Sequence, residues 1–119
     1  MEIEFWEEPN GDKPVWEFIK ASDRVKSLLK KLELYEERTL TDLLKNESAK
    51  ELKGIKAKYG FSLYEFKPGS NRFLFVVLIA AEKIFLLHAF VKKSDNTPLC
   101  EINKALRRAI LLNQKNKLR

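Results

Sequence analysis

The sequence predicts an α+β fold, and three patterns carry that expectation: an alternating strand at the N-terminus, helical spacing of apolar residues after it, and three strand-like runs in succession before a last amphipathic helix. Ile3 and Phe5 alternate with Glu2 and Glu4, as in a strand with one wet face. Pro9-Asn10-Gly11-Asp12 is a turn cluster, and Pro14 suits the first turn of a helix striped by Val15, Phe18 and Ile19. Val25, Leu28, Leu29 and Leu32 repeat at helical spacing, so a helical pair, or one bent helix, is expected over residues 13–38, breaking at Ser22 or Asp23. Leu40, Leu43 and Leu44 suggest a helical turn capped by Thr39 or Thr41, and Ala49, Leu52 and Ile55 suggest another, with Gly54 and Gly60 as punctuation. The three runs are residues 61–67, 72–81 and 83–92, the middle one apolar on both faces and therefore central. Pro68-Gly69-Ser70-Asn71 joins the first two. The join at Glu82-Lys83 must be tight, yet lacks the glycine chemistry of a two-residue hairpin. Thr97 is the expected cap of the last helix and Pro98 its first residue; Ile102, Ala105, Leu106, Ala109 and Ile110 form its apolar face, with Arg107 and Arg108 off that stripe. The expected layout is an N-terminal strand and helical pair, a three-strand antiparallel meander with the first strand at one of its edges, and a C-terminal helix, as one domain over residues 1–119.

Charge is unevenly placed. The first 91 residues balance, whereas from Lys92 onward Lys92, Lys93, Lys104, Arg107, Arg108, Lys115, Lys117 and Arg119 face only Asp95 and Glu101. The net charge of +6 therefore sits in the last quarter, where it would attract a polyanion. For the segment from Lys115 to Arg119, a frayed, solvated tail is as good a reading as a binding role. Cys100 is the lone cysteine, and the acidic N-terminus lacks the pattern of a secretory signal. The longest apolar run, residues 73–81, is short of the roughly 20 residues of a membrane helix. A cytoplasmic protein with no membrane partner is expected.

The chain holds one His and one Cys, and it shows no Gly-rich phosphate loop and no nucleophile elbow. No metal site or cofactor is expected. An enzyme built from this set would work with Lys, Arg, Tyr, acids and His88. RNA suits such a set, because its 2′-hydroxyl is the nucleophile and the protein need only take a proton and balance the charge of the phosphorane. Strand parity puts His88 on the face of Leu86, Phe90 and Lys92, either as a hydrogen-bonded sheet residue or as a group titrating near neutrality. Arg72 opens the second run and has the fork that clamps phosphate. Lys92 and Lys93 end the third run, and at most one of them points into any one site. Tyr64 is a packing residue or a base-stacking one; Trp6 and Trp16 read as core or partner-contact residues.

Leu63-Tyr64-Glu65-Phe66-Lys67, Asn71-Arg72-Phe73-Leu74-Phe75, the segment from Leu86 through His88 to Lys93, Thr97-Pro98 and Glu101-Ile102-Asn103-Lys104-Ala105 resemble the RelE/HigB toxin superfamily, in its phage-derived, HigB-like branch. The resemblance covers residues 52–108, and its stretch from His88 to Pro98 is the most specific part. It implies a RelE-like fold and a toxin of a type II toxin–antitoxin system: a metal-independent endoribonuclease that cuts messenger RNA in the ribosomal A site. It further implies inhibition by a cognate antitoxin of helix-turn-helix type, the complex binding operator DNA through the antitoxin. By position, Arg72 corresponds to the strand-opening phosphate-binding arginine, Lys92 or Lys93 to the basic residue closing the last strand, and His88 to a histidine common in the branch. The catalytic set implied is thus Arg72, His88, Lys92 and Lys93, with Tyr64, Lys67, Lys104, Arg107 and Arg108 as RNA-binding residues. The chain departs from RelE in having Leu63 and Glu65 where that toxin has two lysines, and in having no tyrosine after Tyr64, which leaves the general base open; Glu65 reads as a structural partner for Arg72 or Lys67, or as a group in proton transfer. Two alternatives stay on the table: a non-catalytic RNA- or partner-binding module, and a ParE-like toxin directed at a topoisomerase.

Overall fold

The computed structural model describes residues 1–80 and 83–119. Their elements run β1 (Glu2–Phe5), α1 (Pro14–Ala21), α2 (Val25–Glu36), α3 (Leu40–Lys45), β2 (Ala49–Glu51), α4 (Ile55–Tyr59), β3 (Tyr64–Phe66), β4 (Asn71–Val77), β5 (Lys83–Val91) and α5 (Leu99–Lys115). One sheet in the order β1-β5-β4-β3-β2 collects the strands. The antiparallel meander β3-β4-β5 is as expected, and β1 joins its edge parallel to β5, pairing Glu2 with Lys83 and Phe5 with Leu86.

β4 sits in the middle of the sheet and is covered on both sides. Phe73, Phe75 and Val77 face α1, α2 and α3; Leu74 and Val76 face α4 and α5. On the first face Tyr35 of α2 stacks on Phe66 at 4.4 Å between ring centroids, and Phe66 stacks on Phe75 at 4.2 Å. Such rings supply the largest single burials in a core, at about 1.5–3 kcal/mol each. Pro14 opens α1, and Thr39 caps α3 by accepting from the Asp42 N–H at 3.1 Å.

Several sequence expectations change. Ala49, Leu52 and Ile55 do not share a helix. Ala49 pairs with Phe66 in β2, and Gly54, at φ 83°, turns the chain through the left-handed region before α4 begins. β3 is shorter than the run 61–67, and β4 stops at Val77, with Ile79 and Ala80 in a turn. Ala81 and Glu82, and hence the expected tight join at Glu82-Lys83, lie outside the described residues. Thr97 does not cap α5: its hydroxyl is engaged elsewhere, and Pro98 occupies the cap position without a side-chain bond. Leu112 joins the buried face of α5, while Ile110 is exposed. The end of the chain is not a frayed tail, because Leu118 is buried, the Arg119 N–H donates to the Val77 carbonyl at 2.9 Å, and the Arg119 carbonyl accepts from Ser62 at 2.7 Å.

Candidate functional site

The β4–β5 register decides where His88 points. It runs from Asn71–Val91 to Leu74–His88 and then resumes at Phe75–Leu86, so Leu87 is an extra residue in β5. Such a bulge breaks the alternation of side chains. Leu86 packs with the α1–α3 side of the sheet, whereas Leu87 and Phe90 pack with the α5 side. The simple parity that put His88 with Leu86 is therefore corrected: His88 faces α5, along with Phe90, whose ring lies 5.9 Å away. Arg108 of α5 holds the bulge, its Nη1 donating to the Leu87 carbonyl at 2.7 Å.

On that face His88 Nε2 lies 3.1 Å from Glu101 Oε1, and Lys104 Nζ lies 3.6 Å from the same oxygen. Both His88 and Glu101 are mostly shielded from solvent. Burial pulls the His88 pKa below the ordinary 6.5; Glu101 works against that, and the charges of Arg108 and Lys104 add to it. The imidazole is thus neutral near pH 7. With Glu101 accepting from Nε2–H, its lone pair falls on Nδ1.

Nearer the β3–β4 turn stands a second acid. Glu65 is 1% exposed, an unusual place for a carboxylate. It accepts from the Thr97 hydroxyl at 2.6 Å, and Lys50 Nζ and Arg72 Nε lie at 3.7 and 4.0 Å. Register accounts for the gathering: Lys50 pairs with Glu65 across β2–β3, and Arg72 projects from the neighbouring strand on the same face. Arg72 Nη1 donates to the Gly69 and Asn71 carbonyls, both at 2.8 Å, so the guanidinium braces the turn that precedes its own strand. Nη2 has no hydrogen-bond partner among the described residues.

The structure therefore brings Arg72 and His88 onto one face of adjacent strands, with Lys104 beside them. Lys92 follows at the end of β5, where its backbone N–H donates to Ser70 at 2.7 Å and its Nζ lies 3.4 Å from exposed Asp95. Lys93 is exposed and makes no ion pair among the described residues. Lys67 is half-buried just beyond β3. Other residues are placed apart. Tyr64 lies on the opposite face, buried and stacked on Phe75 at 5.3 Å, so its ring is not offered to a base. Arg107 and Arg108 sit lower on α5 and converge on Glu8 Oε1, at 3.3 and 3.0 Å. Arg108 is largely buried rather than off the packed face, because its fork fills the space between α5 and the bulge. Arg72, His88, Lys92 and Lys93 line none of the five main clefts of the described surface. Among the described residues no group of three or more His, Cys, Asp or Glu could hold a metal ion, and no helix is long and apolar enough to cross a membrane.

Sequence reasoning offered Glu65 as a partner of Arg72, as found, but missed Glu101 and Glu8. Glu101 and Glu65 organise the cations, and Glu8 does so from a loop some hundred residues away from its partners. Of the two missed acids only Glu101 left a local trace, three residues ahead of Lys104 on a helix.

A pair made of a shielded neutral imidazole and its carboxylate, flanked by an arginine and lysines, can take a proton and stabilise an anion. The model of the phage-derived Gp49-like protein family (DUF891) matches residues 17–109, more than three quarters of the chain. The chain belongs to the Gp49-like family. This family belongs to the RelE/HigB-like toxins. No curated protein matches the sequence. In this Gp49-like chain the matched stretch takes in Glu65, Arg72, His88, Glu101 and Arg108, while β1 and Glu8 precede it.

Proposed function

We propose that the chain is the toxin of a toxin–antitoxin pair, a RelE-like domain over residues 1–119 that cuts messenger RNA on the ribosome without a metal or cofactor. The observation that carries this reading is the His88–Glu101 pair standing on the same face as Arg72, in a chain of the Gp49-like family. His88 accepts the 2′-hydroxyl proton at Nδ1 while Glu101 holds Nε2–H. The 2′-oxygen attacks the phosphorus, the 5′-oxygen leaves and takes a proton from water at the open rim, and the products carry a 2′,3′-cyclic phosphate and a 5′-hydroxyl. Arg72 Nη2 and the ammonium group of one of the two lysines, Lys92 or Lys93, balance the charge of the phosphorane. Lys104 and Lys67 contact the strand outside the scissile phosphate. The ribosome supplies alignment, so free RNA is a poor substrate. The antitoxin, of helix-turn-helix type, blocks this cytoplasmic activity, and operator DNA is bound only through the complex.

Induced expression should arrest growth and leave cuts in translated messages at the ribosomal A site. Intact messages with damaged supercoiling would select a topoisomerase-directed toxin instead. Salt-sensitive RNA binding without cuts would select a binding module, a reading favoured by the acids that stand beside Arg72, Lys92 and Lys104.

A further inference from the structure

A second basic region lies across the β3–β4 turn from this rim. Arg24, Lys26, Lys30 and Lys31 are exposed at the α1–α2 junction and along the head of α2, and Asp23 is the only acid among residues 23–32. None of the four makes an ion pair among the described residues. A cleft of about 430 Å³ opens between the junction and the turn, with Arg24, Asn71 and the one acid, Asp23, on its polar side and Phe18 and Val91 on its apolar side. It adjoins a smaller cleft of about 200 Å³ that shares Arg24 and Asn71 and adds Ser27 and Lys31. Small-molecule sites span roughly 300–1,000 Å³, so the joined groove has room for a nucleotide. Val91 is 52% exposed, an uncovered apolar surface beside uncommitted donors. The side chains of Arg24, Ser27, Lys31 and Asn71 make no hydrogen bond with another described residue.

We propose that this groove binds the sugar–phosphate backbone of single-stranded RNA next to the bond that is cut. Arg24 and Lys31 contact phosphates, Ser27 and Asn71 contact sugar or phosphate oxygens, and Phe18 with Val91 forms a floor for a base. The inference rests on the RNA-cutting reading and extends it to where the strand runs. The turn is the link: Gly69 and Asn71 wall the groove, and their carbonyls hold Arg72 on the other side. A strand crossing the turn passes from Arg24 and Lys31 to Arg72.

The test is binding of the full chain to a 2′-O-methyl RNA oligonucleotide, which lacks the reacting hydroxyl, by fluorescence anisotropy across a salt series. Arg24→Ala/Lys31→Ala should flatten the log–log salt slope by ~1.4, at about 0.7 per single-strand phosphate contact. Lys53→Ala/Lys56→Ala, which removes the same charge from an exposed surface outside the groove, should leave the slope near that of the parent. Equal effects of the two double variants, or no effect of the first, overturn the proposal. So does displacement of the RNA at equal concentration by a glutamate-rich peptide of the same charge, which would make the groove a protein-docking site. Slope loss in the groove variant alongside intact ribosome-bound message would uphold the groove and remove the cutting reading.

Discussion

Two basic regions of this molecule treat their charge in opposite ways. On the face covered by α5, the cations are held by acids: Arg72 and Lys50 by Glu65, Lys104 by Glu101, Arg107 and Arg108 by Glu8, Lys92 by Asp95. On the α1–α2 side, Arg24, Lys26, Lys30 and Lys31 stand in solvent with one acid among them. Where a pair is shielded, as at Arg72 and Arg108, the charge keeps its geometry, whereas unpaired, exposed charges give long-range attraction that salt screens. The first arrangement suits chemistry on a fixed atom and the second suits gathering a strand. Net charge alone does not separate them: the C-terminal quarter carries the excess of positive charge, yet Lys92, Lys104, Arg107 and Arg108 are committed to acids.

The comparison can be broken most forcefully at Glu65. Glu65→Ala would leave Arg72 shielded without its carboxylate and Thr97 without its acceptor, and should cost about 3 kcal/mol in urea unfolding. A neutral result would mean that the acid is not part of the frame. Next comes chemistry. His88→Ala should reduce cutting of ribosome-bound message by at least about 100-fold, with the unfolding midpoint close to that of the parent. Arg108→Met removes the donor at the bulge and one partner of Glu8, and should cost about 2 kcal/mol. Because Arg108 depresses the His88 pKa, the same change should raise the titration midpoint of the single histidine, read by NMR.

The smallest effect expected is from Glu101→Gln. It removes the carboxylate that raises the His88 pKa, so the midpoint should fall further below 6.5. A rise would put Glu101 in a different role. The sign for stability follows from the same shift. A histidine depressed in the folded state favours folding above 6.5, and that contribution is lost as pH falls from 6.5 through the folded value. The stability difference between the parent and His88→Gln should therefore narrow over that window.

Much of the frame could be read from period and punctuation. The helical pair, the meander and the last helix each follow from local apolar spacing, and so does an edge position for β1, while its parallel pairing with β5 was not legible. Long-range facts could not be read this way. The β5 bulge has no glycine to mark it: it is held by a carbonyl bond from Arg108, which lies 21 residues further on. Thr97 fits a helix cap by local pattern, but Glu65 from a distant strand captures its hydroxyl. Arg72 and His88 lie on strands, as their segments suggested, but the bulge turns His88 to the face opposite the one that simple parity gave. Tyr64 was ambiguous because an aromatic residue on a strand can face either layer, and here it faces α1–α3.

The most direct measurement maps the ends of messages cut in a purified translation system charged with the protein. Cuts at the A-site codon should bear 2′,3′-cyclic phosphate and 5′-hydroxyl ends, and should vanish with His88→Ala. Cuts that end in 5′-phosphate, or cuts that persist unchanged in the His88 variant, would contradict a shielded imidazole as the group that takes the sugar's proton.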